Sequence, residues 1–257
     1  MKQTVLITGA SSGVGLEFAR EAAADGCNLI LVARSTDKLE ALATELRGKG
    51  AEVAVIPCDL SRPEAPRKLA ADIDEKGLSV DVLINNAGFA TYGPFAEATR
   101  EATMDMVAVN VACLTELTRL FLPGMLTRRH GRILNVASTA AFQPGPLMAV
   151  YYATKSYVLS FSEGLSGELE GTGVSVTAFC PGPFSSGFQA AAQMENSKLV
   201  QGKMPTSAEM ARAGWAAMKS GQVVAIPGAR NWIMATAVRF LPRALVRKFV
   251  RKVQESR

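Results

Sequence analysis

Short runs of apolar residues alternate along the chain with longer segments in which apolar residues recur every three or four positions. The short runs are nearly continuous in Val, Ile and Leu, as in parallel strands that are covered on both faces. They predict seven strands, at residues 4–8, 28–33, 52–57, 80–85, 131–138, 174–180 and 222–227. The longer segments predict helices at 13–25, 36–49, 63–76, 100–127, 149–170 and 207–219. This alternation favours an α/β fold, a single doubly wound parallel sheet flanked by helices.

Two segments depart from the alternation. Residues 184–206 are small, polar and Met-containing, and they lie between two predicted strands. An insertion of this length predicts a lid over a site, with a surface connection as the alternative. Residues 229–257 follow the last strand and show apolar positions at helical spacing, with Pro242 as a break. We therefore predict a catalytic domain at 1–228, which includes the lid, and a helical extension at 229–257.

The composition agrees with a folded intracellular protein. Apolar residues make up 48% and charged residues 20% of the 257 positions, which is enough to build a sizeable core. The N-terminal apolar run is short, and we expect a cytoplasmic location without a signal peptide. Four isolated cysteines and a single histidine predict neither a metal site nor a disulfide framework. These residues are Cys27, Cys58, Cys113, Cys180 and His130.

A glycine-rich loop joins the first predicted strand to the first helix. Its sequence, TGASSGVG at residues 8–15, follows the spacing G-x-x-x-G-x-G. Glycines let a backbone approach a pyrophosphate closely, and the helix N-terminus supplies N–H groups. The alternative is a plain turn between strand and helix. The loop predicts cofactor contacts from Gly9, Ser11, Ser12, Gly13, Val14 and Gly15.

Polar residues at the next three strand ends fit the same ligand. Arg34 follows the second strand, and residues 32–36 contain no acid. An acid at this place binds the ribose hydroxyls of NAD, whereas arginine accommodates the 2′-phosphate of NADP. We therefore predict NADP(H) in preference to NAD(H), with a solvated Arg34 as the alternative. The third and fourth strands end in further predicted cofactor contacts, Asp59, Leu60, Asn86, Ala87 and Gly88.

The stretch YYATK, residues 151–155, predicts acid–base chemistry. On a helix Lys155 lies one turn after Tyr151 on the same face, whereas Tyr152 points about a quarter turn away. A phenol has a pKa near ~10, and a neighbouring ammonium stabilises its anion. Ser138 ends the preceding strand, where its hydroxyl could bond a substrate carbonyl. The alternative without a catalytic role is that Tyr151 and Lys155 form a solvated i,i+4 pair and that Ser138 is a strand-end hydroxyl.

In order and spacing, these motifs resemble those of the short-chain dehydrogenase/reductase family over residues 3–185. The resemblance implies one Rossmann domain with a seven-stranded parallel sheet. It implies that Tyr151 is the general acid/base and that Ser138 orients the carbonyl. It also implies that Lys155 holds the nicotinamide ribose and lowers the tyrosine pKa, while Asn110 completes a proton relay. The residues that carry it are TGASSGVG (8–15), NNAG (85–88), Asn110, Ser138, YYATK (151–155), and Pro181 with Gly182, which would flank the nicotinamide.

The implied activity is that of an NADP(H)-dependent oxidoreductase that reduces a small-molecule carbonyl or oxidises the matching alcohol. Members with NADP often add a basic residue in the glycine loop, where this chain has Ser11 and Ser12. The C-terminal part resembles ketoacyl and hydroxysteroid reductases, which implies a 3-oxoacyl thioester or ketosteroid. Family members are commonly dimers or tetramers, so a homodimer or homotetramer is expected. A nucleotide-binding regulatory protein without turnover is the alternative from another class.

The net charge of +5 is concentrated at the C-terminus. Residues 229–257 carry eight basic residues and one acid, so this segment is +7 and the remainder is −2. A basic amphipathic helix predicts either peripheral contact with a membrane or packing on the body or on a neighbouring subunit. Nucleic acid is not an expected partner, because no aromatic stacking platform accompanies the charge.

Overall fold

The computed structural model describes residues 2–186 and 204–254. Seven parallel strands form one sheet in the order β3-β2-β1-β4-β5-β6-β7. This arrangement confirms the predicted doubly wound parallel sheet. The strands are β1 (Thr4–Thr8), β2 (Asn28–Ala33), β3 (Val53–Pro57), β4 (Val82–Asn85), β5 (Gly131–Val136), β6 (Val174–Phe179) and β7 (Val224–Ala225).

Helices cover both faces of the sheet. The nine α-helices of the described ranges are α1 (Gly13–Ala24), α2 (Thr36–Arg47), α3 (Ala65–Glu75), α4 (Arg100–Val107), α5 (Leu114–Arg128), α6 (Ala149–Glu168), α7 (Ser207–Lys219), α8 (Ala229–Ala237) and α9 (Arg243–Gln254). A π-helical turn, Ala108–Cys113, joins α4 to α5, so the single helix predicted at 100–127 has an interruption. Short 3₁₀ turns lie at Phe95–Glu97, Thr139–Phe142 and Val238–Phe240.

Successive residues of each strand enter opposite layers of the core. Along β1, Val5 and Ile7 pack with α1, α2 and α7, whereas Leu6 packs with α3 and α5. In the first layer the ring of Phe18 meets that of Phe179 edge to face, at 6.2 Å between centroids. Each such fully buried side chain contributes roughly 1.5–3 kcal/mol. Both faces of the strands are thus apolar, which explains the continuous apolar runs in the sequence.

The last strand is shorter than the sequence predicts. Only Val224 and Ala225 of the predicted 222–227 run pair with β6. β7 lies at the edge of the sheet, and Pro227 has no N–H to donate to a ladder. The apolar run therefore extends beyond the hydrogen-bonded part.

One helical stretch of the described residues, Arg100–Arg128, is long and apolar enough to cross a membrane by length and composition. A third of its most apolar window is buried in the protein. Leu117 and Met125 of this stretch pack in the core against the sheet. This pattern is typical of a helix that covers a sheet with one face.

The C-terminal extension folds back onto the body. Helix α8, the turn at Val238–Phe240 and helix α9 follow β7, with Pro242 between the turn and α9. Val246 and Val250 of α9 are buried in a cluster with Met148 and Tyr152. Of the predicted lid at 184–206, residues 187–203 lie outside the described residues.

Candidate active site

The glycine loop at the end of β1 packs backbone against backbone. Gly9 has a positive φ of 68°, which favours glycine. A Cβ on Gly15 would lie 2.4 Å from the Gly9 carbonyl oxygen and 2.4 Å from Nδ2 of Asn86. The same Nδ2 donates a hydrogen bond to the Thr8 carbonyl oxygen at 2.9 Å. Glycine is therefore required at position 15 by close packing.

The N-terminus of α1 offers room for a phosphate. Gly13 has a φ of 58°, and a Cβ there would meet no atom within 4 Å. Ser12 is the N-cap residue, and its side chain makes no capping hydrogen bond. No acidic residue occupies the first turn. The free N–H groups and the positive end of the helix dipole fit the pyrophosphate of a dinucleotide.

Thr8 connects this loop to the end of β4. Its Oγ1 accepts hydrogen bonds from the backbone N–H groups of Asn86 and Ala87, each at 3.0 Å. The same hydroxyl donates to the Ile84 carbonyl oxygen at 3.3 Å. Thr8 thereby holds the Asn86–Gly88 segment beside the glycine loop. This role of Thr8 was not predicted from the sequence, although a threonine that ends an apolar strand was a signal for it.

Arg34 and Asp59 lie at neighbouring strand ends. Asp59 Oδ1 accepts from the N–H of Ser61 at 3.2 Å and from its hydroxyl at 2.9 Å. Burial raises the pKa of Asp59, but the Ser61 bonds and the charges of Arg62 and Arg34 outweigh it, so the net pKa is lowered. Asp59 is thus ionised near the exposed Arg34. The Leu60 side chain is buried in the core. The predicted cofactor contact of Leu60 would therefore have to come from its backbone.

Ser138 and Tyr151 meet beyond the end of β5. The Ser138 hydroxyl donates to the Pro181 carbonyl oxygen at 3.4 Å and accepts from the N–H of Ala140 at 3.1 Å. It also shares a hydrogen bond with the Tyr151 side chain. Although part of Tyr151 is exposed, its hydroxyl is surrounded by protein. This burial outweighs the Ser138 bond and raises the pKa of Tyr151 to about 12.

Lys155 lies one helical turn after Tyr151, as the spacing predicts. Its Nζ is 5.8 Å from the centroid of the Tyr151 ring and donates to the Val136 carbonyl oxygen at 2.6 Å. Burial lowers the pKa of Lys155 to about 8. The resemblance implies that Lys155 lowers the Tyr151 pKa. Because burial dominates the Tyr151 pKa here, that lowering stays a prediction for the complex with cofactor.

Asn110 occupies the π-helical turn between α4 and α5. Its side chain accepts from the Phe89 N–H at 3.2 Å and donates to the Phe89 carbonyl oxygen at 3.0 Å. It also donates to Oγ1 of Thr154 at 3.1 Å. A Cβ on Gly88 would lie 3.0 Å from Asn110 Oδ1 and 3.5 Å from Lys155 Nζ. Gly88 thus lies close to both Asn110 of the π turn and Lys155, and π turns are frequent at functional sites.

A buried polar network underlies the site and was not predicted. Asn85 Nδ2 donates to Asn135 Oδ1 at 2.9 Å and to Thr118 Oγ1 at 3.1 Å. Asn135 Nδ2 donates to Ser162 Oγ at 2.9 Å. The network joins β4 and β5 to helices α5 and α6, one residue from Asn86. An asparagine inside the apolar run GRILNV was the available signal.

Two residues of the C-terminal extension reach the site. A Cβ on Gly182 would lie 2.5 Å from Nδ2 of Asn231 in α8, so these residues are in close contact. At the other end of the extension, Gln254 Nε2 donates to the Tyr152 hydroxyl at 2.7 Å. The Tyr92 hydroxyl donates to the Gln254 carbonyl oxygen at 2.5 Å. These contacts were not predicted, because no local pattern in the sequence links residues so far apart.

Over residues 2–186 and 204–254, no group of three or more His, Cys, Asp or Glu side chains is placed to hold a metal ion. The four cysteines are all free thiols. The polar side chains near Tyr151 are instead hydroxyls, an amine and amides. Such a set fits proton transfer and hydrogen bonding to a nucleotide.

Curated relatives include reductases of acyl chains. The chain is 39% identical over 184 residues to a granaticin polyketide synthase putative ketoacyl reductase of Streptomyces violaceoruber, a match that covers 70% of this chain and 67% of that protein. It is 39% identical over 178 residues to a very-long-chain 3-oxoacyl-CoA reductase of Phaeosphaeria nodorum. That match covers 66% of this chain and 52% of the relative, so the chain spans about half the relative's length.

Solved structures share the whole fold. A short-chain dehydrogenase from Sphingobium yanoikuyae, in complex with NADPH, superposes with a TM-score of 0.84 at 32% identity and covers 95% of this chain and 94% of its own. One from Burkholderia phymatum, in complex with NAD, superposes with a TM-score of 0.81 at 28% identity, over 93% and 92%. A sequence model of the short chain dehydrogenase family matches residues 3–197. The chain therefore belongs to the short-chain dehydrogenase/reductase family of oxidoreductases.

Proposed function

We propose that this oxidoreductase is an NADP(H)-dependent carbonyl reductase in which Tyr151 is the proton donor. The observation that carries the proposal is the shared hydrogen bond of the Ser138 and Tyr151 hydroxyls, with Lys155 one turn away. The three side chains stand at the carboxyl edge of the parallel sheet, where ligands of open α/β folds bind. The glycine loop lies at the same edge.

The chemistry follows from the protonation states. A bound nicotinamide supplies a hydride to the carbonyl carbon. The Ser138 hydroxyl donates a hydrogen bond to the carbonyl oxygen, and Tyr151 transfers its proton to that oxygen as negative charge develops there. With a pKa of about 12 in the free protein, Tyr151 holds its proton at neutral pH, which favours the direction of reduction. The Lys155 ammonium then stabilises the phenolate that remains.

Arg34 supports the choice of NADP(H). It is exposed at the end of β2, and Asp59 beside it is the only acid at the neighbouring strand ends β2 and β3. Hydrogen bonds between charged groups contribute about 1.5–3 kcal/mol. Arg34→Glu should therefore weaken NADPH binding about tenfold to hundredfold, and NADH binding much less. Equal losses for both nucleotides would contradict the preference.

A 3-oxoacyl thioester is the substrate class that the relatives support best. Both curated relatives described above are named as reductases of oxoacyl chains. Tyr151 also packs against an apolar cluster, formed by Ala90, Met148 and Val246 among others, so no charged side chain of this cluster lies beside the proposed proton donor. A ketosteroid is the second candidate with the same requirement for apolar contact.

The deciding experiment measures NADPH oxidation with a panel of carbonyl compounds, from small ketones to long-chain 3-oxoacyl thioesters and ketosteroids. Loss of general acid catalysis in Tyr151→Phe should lower kcat about 10²- to 10⁴-fold. Tyr157→Phe, on the same helix but bonded to Thr115, is the matched control and should retain activity. Tight NADPH binding without turnover on any compound would instead favour a regulatory nucleotide-binding protein.

We also propose that the protein forms a homodimer or homotetramer. A depression of about 460 Å³ on the outward side of α4 and α6 is lined by Val107, Val111, Val150 and Ala153, among others. Phe95 at its edge is 66% exposed. Light scattering should give a mass of two or four chains, and Val150→Glu should lower it by placing a charge in the contact. A monomeric wild type would contradict this proposal.

A further inference from the structure

The exposed apolar side chains are concentrated in the C-terminal surface, by which we mean residues 229–254. Twelve large apolar residues of the described ranges are exposed, and seven of them lie in these 26 positions. Scattered single exposures are normal for proteins, whereas a concentration of this kind marks an interaction site. The seven are Trp232, Ile233, Met234, Phe240, Leu241, Leu245 and Phe249.

Helix α9 shows that the body covers only part of the apolar side. Val246 and Val250, one turn apart, are buried against the body. Leu245 and Phe249 form the adjacent row, also one turn apart, and are 56% and 60% exposed. The apolar arc of the helix is therefore wider than its contact with the protein. Packing on the body alone does not account for this second row.

The charge of the surface selects an anionic partner. Residues 229–254 contain seven basic residues and no acid. On α9, Arg247, Lys248 and Lys252 are exposed, and Lys248 and Lys252 lie on the side away from the buried face. Exposed Trp, Phe and Leu beside a Lys/Arg-rich side are the pattern of a helix that lies in the interface of a bilayer. A second copy of this chain would bring the same positive charge against itself.

We propose that the C-terminal surface docks on an anionic lipid bilayer. Leu245, Phe249 and Trp232 would enter the boundary between headgroups and acyl chains, and the basic residues would contact the headgroups. Docking itself is independent of the reaction. The inner side of α9 packs on Met148 and Tyr152, next to Tyr151. Docking of α9 would therefore place the lipid surface close to the proposed active site. Uptake of a lipophilic carbonyl from the membrane rests on the proposed function.

Tryptophan fluorescence with vesicles tests the docking directly. The chain has two tryptophans, of which Trp215 is buried and bonded to Asp25, whereas Trp232 is 56% exposed. Vesicles with 30% phosphatidylglycerol should shift the emission to the blue, and brominated lipid should quench it. Vesicles of phosphatidylcholine alone should do neither at the same lipid concentration. Trp232→Phe should abolish the shift while it leaves co-sedimentation intact.

Charge variants measure the electrostatic part of the binding. Each basic residue near an anionic surface strengthens binding about fivefold. Arg243→Gln/Arg247→Gln/Lys248→Gln should therefore lower co-sedimentation with phosphatidylglycerol vesicles about hundredfold. The matched control removes three exposed charges elsewhere, as Lys38→Gln/Lys76→Gln/Arg119→Gln, and should bind within about twofold of wild type.

The apolar part is tested by Leu245→Ser/Phe249→Ser, which should weaken vesicle binding at least about tenfold. Binding to phosphatidylglycerol no stronger than to phosphatidylcholine would overturn the proposal, as would an equal loss in the control triple variant. A lower oligomer mass for Leu245→Ser/Phe249→Ser in the absence of lipid would assign the surface to contact between copies, which also overturns it. No substrate enters these assays, so NADPH oxidation with a water-soluble ketone tests the proposed reaction separately.

Discussion

The glycine loop and the C-terminal extension border the same site, and different kinds of contact hold them in place. At the loop, the Cα of Gly15 approaches the Gly9 carbonyl so closely that one added carbon would sit 2.4 Å from it. At the extension, a side-chain hydrogen bond from Gln254 to Tyr152 and the burial of Val246 and Val250 make the contact. Backbone packing tolerates almost no change, whereas side-chain packing allows other residues of similar shape.

The two kinds of contact are encoded differently in the sequence. The loop needs glycine at a few nearby positions, so one short sequence motif specifies its backbone packing. The extension needs complementary surfaces on segments that are far apart in the chain. Single substitutions in the glycine loop should therefore cause large losses of NADPH affinity and stability. Single substitutions in the extension should cause small losses.

The largest effect is expected at Gly15. In Gly15→Ala the new methyl group must displace either the Gly9 backbone or the Asn86 amide, since both lie at 2.4 Å. Overpacking of this kind costs about 1–3 kcal/mol, and the loop that would hold the phosphates moves with it. We expect a loss of about tenfold to hundredfold in NADPH affinity, measured by fluorescence titration, together with a lower Tm.

Gly164→Ala is the matched control for this substitution. Gly164 lies on the exposed side of α6, and a Cβ there meets nothing within 4 Å. Alanine in a helix interior is about 0.5–1 kcal/mol more favourable than glycine. The control should therefore raise the Tm slightly and leave NADPH affinity unchanged. If both variants bound NADPH like the wild type, NADPH binding by the glycine loop would not depend on its close backbone packing.

The second effect concerns the charge of Lys155. Burial lowers its pKa to about 8 from an ordinary value of 10.5. Between these pH values the unfolded chain binds a proton that the folded protein has lost, so this group makes stability rise with pH there. The difference between the two pKa values corresponds to a change of about 3 kcal/mol in the free energy of unfolding. Tyr151, with a pKa of about 12, stays protonated throughout.

Lys155→Met removes this dependence. Without cofactor, the free energy of unfolding of the wild type relative to the variant should increase by up to about 3 kcal/mol between pH 7 and 10.5. Urea unfolding of both proteins at several pH values measures it, and Lys38→Met at an exposed position is the control with no expected trend. Parallel pH profiles for wild type and Lys155→Met would show that the lysine is not desolvated.

The third effect tests the polar network below the loop. Asn135→Leu removes the bonds to Asn85 and Ser162, both in the interior. Loss of two buried hydrogen bonds should lower the free energy of unfolding by about 2–3 kcal/mol. Thr177→Val is the control, because within the described residues the buried Thr177 hydroxyl has no partner. The control should cost under about 1 kcal/mol, and equal losses would contradict a role for the bonds.

The parts of the molecule that could be predicted from sequence are those with a local pattern. Continuous apolar runs between amphipathic segments predicted the sheet, because each strand is covered on both faces. The glycine loop and the Tyr151–Lys155 spacing are likewise encoded within a few residues. The length of β7 was overestimated, since hydrogen bonding at the sheet edge stops before Pro227 although the apolar run continues.

The contacts that were missed join distant segments. Thr8 holds the end of β4, Thr154 bonds Asn110, and Asn231 touches Gly182. Each depends on how the sheet brings distant residues together, so a polar residue in or after an apolar strand signals at most that it has some partner and does not identify which one. The same holds for the polar network and for the Tyr152–Gln254 contact. Local motifs thus predicted the candidate catalytic groups, and the supporting residues required the structure.

The smallest effect is expected at the contact of Gln254 with Tyr152. The hydrogen bond spans 2.7 Å in a buried environment and joins the end of α9 to the residue beside Tyr151. Gln254→Leu and Tyr152→Phe should each destabilise the protein by about 1 kcal/mol. NADPH affinity should stay unchanged, because neither side chain is among the predicted cofactor contacts.

A double-mutant cycle isolates the bond from other losses. The combined variant should be more stable than the sum of the single losses predicts, by about 0.5–1.5 kcal/mol, because the second substitution removes a partner that is already lost. Urea unfolding of the four proteins measures the coupling. Additive losses would mean that the Gln254 side chain does not stabilise α9, and the extension would then be held beside Tyr151 by the burial of Val246 and Val250 and by the bond from Tyr92 to the Gln254 carbonyl oxygen.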